Sequence, residues 1–158
     1  MNKQKFVVIG RFLAIFLLCF AALYLSSFLY ANFFQYLHAF LQSTTWNFLG
    51  KKNFLKNNIL HFENLRVEIS FLCSGLIELF ILISAIIATP SSRRKKIFGI
   101  VASLVLVFIF NFFRIFISTY FLFLDISFAE LIHEILFRLS LFFVIAGVYY
   151  LWLRSENL

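Results

Sequence analysis

The chain has 158 residues, of which 63% are hydrophobic and 25 are Phe, with a mean hydropathy of +0.95. Charged residues make up only 13% and are clustered, which cannot give a domain of this size a polar skin, so a water-soluble globule is excluded. The net charge of +7 comes from cations flanking apolar runs; it belongs to membrane topology and leaves nucleic acid without an argument as a partner.

Apolar runs long enough to cross about 30 Å of hydrocarbon occur four times, at Phe12–Tyr30, Ile69–Thr89, Ile97–Leu124 and Phe128–Leu153. The expected fold is all-α: a polytopic membrane helical bundle of about four transmembrane helices, one integral membrane domain over residues 1–158. The first run follows Lys3, Lys5 and Arg11, outlasts a signal-peptide core and lacks a clean A-x-A site, so it reads as a retained anchor. After it, Asn32–Leu41 reads as an amphipathic or interfacial stretch, with Phe33, Phe34, Tyr36, Leu37 and Phe40 beside Gln35 and His38. His38 and His61 then fall in or near an outer loop, about Gln42–Glu68, and read as solvated.

Between the second and third runs, Pro90 ends a helix and Arg93-Arg94-Lys95-Lys96 holds the connection in the cytoplasm, which puts both termini inside. The long loop carries Lys51, Lys52, Lys56 and Arg66, against eight cations on the inner side. The expected location is the inner or cytoplasmic membrane of the cell, crossed several times, with a tight outer turn near Asp125–Ser127.

Ionisable groups inside spans are costly to insert and point to function. With the cytoplasmic cations as zero and about 1.5 Å of rise per residue, Cys73, Arg114 and His133 all reach about 27–31 Å, near the outer face. Glu78 and Arg138 fall about a turn or more lower, at about 22–24 Å. A thiol with a fixed cation, partial water access and an imidazole has what nucleophilic chemistry needs. Cys19 lies deep among Phe and Leu and reads as packing, too far below Cys73 for a disulfide. No His and Cys spacing suits a metal, and no cofactor is called for. Glu78 with Arg138 reads as a buried structural pair or as part of the chemistry, and Glu134 with Arg138 offers a competing pair.

The same residues carry a resemblance. Phe71-Leu72-Cys73-Ser74-Gly75-Leu76, the basic inner loop, Asn111-Phe112-Phe113-Arg114-Ile115 and the late His133 resemble, in order and topology, the exosortase/archaeosortase family of membrane transpeptidases, over a core of about residues 66–153. The resemblance implies an outward-facing Cys/Arg/His site in which Cys73 is the nucleophile, Arg114 the family's arginine and His133 its late basic residue. It also implies substrates that are exported proteins ending in a short motif, a transmembrane helix and a basic cluster.

The residues argue a mechanism of their own beside it. Burial in an apolar bundle opposes thiolate formation, so a nearby cation must favour it; Arg114 stays charged and offers forked donors to a thiolate or oxyanion. His133 can carry the proton to the leaving amine. Asn111, three residues before Arg114, can orient Arg114 or the substrate carbonyl, and Ser74 and Gly75 are expected inside the helix that follows the nucleophile. Two other classes fit parts of the pattern. A small proton-coupled transporter subunit would use Glu78, Arg114, His133 and Arg138 as a relay, yet the spans below Glu78 are almost wholly apolar. A non-catalytic assembly factor would use its polar residues as helix glue and would tolerate Cys73→Ser.

Overall fold

The computed structural model describes residues 3–124 and 137–154, with the side chains of Lys3, Gln4, Lys5, Phe137 and Arg138 outside the description. In chain order the elements are α1 (Lys3–Ser26), a 3-10 turn (Ser27–Leu29), α2 (Ala31–Phe48), β1 (Phe54–Lys56), β2 (Ile59–His61), β3 (Arg66–Glu68), a second 3-10 turn (Phe71–Cys73), α3 (Leu76–Ala88), α4 (Arg93–Phe123) and α5 (Phe137–Arg154). The chain is mostly helical and is a membrane protein.

Two of the described helices are long and apolar enough to cross a bilayer, Phe6–Leu29 and Arg93–Phe123, with mean hydropathies of 2.6 and 2.5. The expected second span is shorter than its apolar run: α3 has 13 residues, about 20 Å of rise, because Gly75 adopts φ +75° and breaks the helix below Cys73. The all-α expectation also needs correcting, since residues 54–68 form an antiparallel sheet of order β1-β2-β3. Strands of three residues are too short to display a period of two, although Asn57 at φ +56° and Asn58 mark the hairpin turn.

The helix axes follow from paired contacts. His38 meets Phe108, Gln42 meets Phe112 and Trp46 meets Phe116, so α2 runs parallel to α4. At the other end of α4, Trp152 Nε1 donates to Lys95 O at 3.1 Å, and Thr89 meets the Tyr149 hydroxyl at 2.7 Å, so α3 and α5 both run toward the basic end. That end is closed by Lys96, whose Nζ donates to Ile87 O at 2.6 Å and so satisfies a carbonyl left over at the C-terminus of α3. Ser92 caps α4 through Lys95 N. Four cations in the first turn of α4 oppose its dipole, which fits a topological rather than a stabilising origin for the cluster.

α1 packs along α3 and carries a ladder of stacked rings, Phe12, Phe16, Phe20 and Tyr24, that reaches Phe71 at its end. Two apolar clusters fill the rest. Leu79, Leu82 and Val107, with Ile145, Val148 and Tyr149, join α3, α4 and α5. Ala39, Trp46, Leu60, Ile69 and Ile115 join α2, the sheet and α4, and Cys73 packs against this second cluster. The sheet also fixes the approach to Cys73: Asn58 accepts from Ile69 N and donates through Nδ2 to Ile69 O, both at 3.0 Å.

α2 turns inside out relative to a helix in water. Phe33, Tyr36, Phe40 and Phe48 are exposed, whereas His38, Gln42 and Ser43 are buried together with Ala39 and Trp46. In a lipid-facing bundle the apolar face loses nothing by pointing outward, while polar groups gain by finding partners within the protein.

Candidate active site

Cys73 ends the 3-10 turn Phe71–Cys73 and is half-buried. The turn is closed by Cys73 N donating to Ser70 O at 3.0 Å and by Ser74 donating to Phe71 O from both its N, at 3.2 Å, and its Oγ, at 2.6 Å. Gly75 then enters the left-handed region and α3 begins at Leu76. Ser74 and Gly75 therefore lie outside the helix in which the sequence places them, and the first N–H groups of α3 fall directly after the nucleophile candidate with no side-chain cap. Such a helix end carries positive potential, shared here with Glu78 in the same first turn.

Asn111 and Arg114 project from α4, both buried, at 0% and 6% exposure. Asn111 Nδ2 donates to Cys73 O at 2.8 Å, so this residue holds the protein's own turn, a contact additional to Arg114 and the substrate carbonyl, the two partners that the sequence offered it. Its side chain lies so close over Gly75 that a Cβ there would stand 3.1 Å from Asn111 Cγ. Arg114 sits one turn further from the basic end than Asn111, and side chains on an α-helix lean back toward its N-terminus, toward the level of Cys73. Its guanidinium has no carboxylate partner among the described residues, and its Nε is buried without a hydrogen bond.

The residue that sequence reasoning misplaced is His38. Rather than being solvated, it is wholly buried, stacked on Phe108 at 4.4 Å, with its Nε2 3.4 Å from Asn111 Nδ2. The signal was present: Gln35, His38 and Gln42 recur at helical spacing within an aromatic helix. Gln42, one turn on, donates from Nε2 to Phe112 O at 2.8 Å and leaves its Oε1 unpaired. α2 is not among the segments long and apolar enough to span. Burial, and then the charge of Arg114, push His38 down to about 4, while the Ser74 backbone pulls the other way. His61 is half-exposed and stacks on Phe54 across the hairpin, away from this cluster.

Glu78 stands in the first turn of α3, half-buried, with Oε2 unpaired. The pairs drawn from sequence between Glu78 or Glu134 and Arg138 fall on side chains outside the described residues, as does His133. The structure thus brings Cys73, Ser74, Gly75, Asn111, Arg114 and His38 to one place. No group of three metal-ligating side chains forms among the described residues.

A family model described as transmembrane exosortase (Exosortase_EpsH) matches residues 8–152. No curated protein and no solved structure matches the chain.

Proposed function

The chain belongs to the transmembrane exosortase family, and on that footing we propose that it is a cysteine transpeptidase that cuts the C-terminal tail of exported proteins and passes them to an acceptor in the cell envelope. Four segments cross the inner or cytoplasmic membrane in this reading. The basic end at Arg93–Lys96 lies in the cytoplasm and the Cys73 turn faces outward.

The observation that carries the reading is Arg114. A buried guanidinium without a carboxylate partner among the described residues, one turn from the side chain that grips Cys73 O, is costly unless a negative charge forms beside it. A thiolate on Cys73, or the oxyanion made from it, supplies that charge. The N–H groups at the start of α3, which has no side-chain cap, add a second source of positive potential at the same point.

The substrate's own helix packs beside the bundle with its basic tail level with Arg93–Lys96, and anionic inner-leaflet lipids relieve the repulsion between the two basic clusters. Length then sets the scissile peptide bond beside Cys73. Cys73 Sγ attacks the carbonyl carbon, the oxygen takes the charge opposite Arg114, and the C–N bond breaks as the leaving amine takes a proton from His133. The exported part remains as a thioester on Cys73. An outward-facing nucleophile, giving its proton to His133, attacks that carbonyl and releases the thiolate.

The test is processing of an exported protein bearing such a tail in cells carrying Cys73→Ala, Cys73→Ser or Cys19→Ala. Loss in both Cys73 variants with retention in Cys19→Ala is expected, together with a thioester adduct on the Cys73 peptide by mass spectrometry. Retained processing in Cys73→Ala, or cleavage on the cytoplasmic side, would overturn the reading.

A further inference from the structure

One buried titratable group beside Cys73 has no part in the proposed chemistry. His38 is wholly buried against Phe108, where a Phe or Leu would fill the same space without desolvating two ring nitrogens. Its placement is tied to Asn111. The Asn111 amide carries two protons on Nδ2, and one is committed to Cys73 O at 2.8 Å. That bond fixes the amide's orientation, because the flipped amide would set oxygen against oxygen. The second proton faces His38 Nε2 at 3.4 Å, so Nε2 is the acceptor and the ring carries its proton on Nδ1. A charged ring would place donor against donor at this contact. Burial and Arg114, the charged group that acts on His38 from α4, keep the ring neutral against the Ser74 backbone, which favours the charged form, and Nδ1 is buried without a hydrogen-bond partner among the described residues.

The rest of the linkage is tight. Asn111 has no slack toward Gly75, where even a Cβ would crowd it, and Gly75 sets the direction in which α3 leaves the turn. We propose that His38 is a positioning residue for Cys73: as a neutral acceptor it steadies the Asn111 amide that holds the Cys73 carbonyl, and so fixes the turn from which the thiol and the first N–H groups of α3 project. This rests on the reading of Cys73 as the nucleophile. Three elements far apart in sequence, α2, the Phe71–Cys73 turn and α4, are thereby joined through two hydrogen-bonding contacts on one amide.

The experiment measures alkylation of Cys73 by a small maleimide across pH, on the full chain in detergent, in a Cys19→Ala background. His38→Phe keeps the ring volume and removes the acceptor; His38→Gln offers an amide oxygen near the position of Nε2; His61→Phe is the distant control. His38→Phe is expected to move the alkylation midpoint up by about half a unit to one unit, the equivalent of one net hydrogen bond at the turn. His38→Gln should restore most of the shift, and His61→Phe should leave the midpoint in place. A purely structural role would not be rescued by Gln and would not move the midpoint. An unchanged midpoint in His38→Phe, or His38→Gln behaving like His38→Phe, would overturn the proposal. Processing measured in parallel separates the two readings: with the expected midpoints, processing that survives Cys73→Ala refutes the transpeptidase and leaves His38 as the residue that positions the thiol.

Discussion

Replacing Gly75 by Ala tests the join between backbone and site most directly. Gly75 has φ +75°, where an L-residue costs about 1–2 kcal/mol, and its new Cβ would stand 3.1 Å from Asn111 Cγ and 3.3 Å from Asn111 Nδ2. Asn111 must then shift by a few tenths of an ångström, at the expense of its bond to Cys73 O, which is worth about 0.5–1.5 kcal/mol net. Gly50 provides the comparison, with φ +82° and nothing within 4 Å of an added Cβ, so Gly50→Ala carries the conformational cost without the collision. The two variants should lose similar amounts of stability from backbone strain, with Gly75→Ala losing about 0.5–1.5 kcal/mol more. They should differ far more in function: processing in Gly75→Ala should fall about tenfold or more, since roughly 1.4 kcal/mol at the turn is a factor of ten in its correctly set population. Processing in Gly50→Ala should stay near that of the parent. The assays are thermal unfolding of the detergent-solubilised chain and tail processing in cells. Equal processing by the two variants would refute the view that Asn111 couples the Gly75 turn to Cys73.

Arg114→Lys should retain expression and membrane insertion and lose most processing, because an ammonium cannot fork between a thiolate and a second partner; normal turnover by that variant would remove the bidentate role. Gly99→Ala should loosen the basic end, since an added Cβ would overlap the Trp152 indole and break its bond to Lys95 O at 3.1 Å. A red shift in Trp fluorescence and a lower unfolding temperature would register this, and an unchanged spectrum would count against the packing of α5 on α4. Trp46→Ala should destabilise the α2–α4 seam by about 3–5 kcal/mol, as Trp46 stacks on Phe116 at 4.6 Å and meets Phe123 at 5.0 Å. Unfolding in detergent would show it, and a loss below about 1 kcal/mol would mean that the ring is not an anchor.

The linear chain determines whatever depends on composition and on neighbours a few residues away. The long apolar run after Lys96 becomes α4, and Pro90 and Ser92 bound the basic turn; the count of rise set Arg114 level with Cys73, whereas the side chain that bonds the Cys73 carbonyl is Asn111, one turn nearer the basic end. Family membership is likewise written in the ordered residues. What the tertiary structure decided is the facing of elements. Periodicity divides α2 into an aromatic face and a polar face with Gln35, His38 and Gln42, but does not say which one is inside. In water the aromatic face would be buried; beside lipid it turns outward, and His38 is carried to Asn111. The break at Gly75 was equally hidden, because a glycine inside an apolar run can continue a helix or end it. Asn111, arriving from α4 with one amide group for both the Cys73 carbonyl and His38, leaves space at that position only for a residue without a side chain, and the helix ends there.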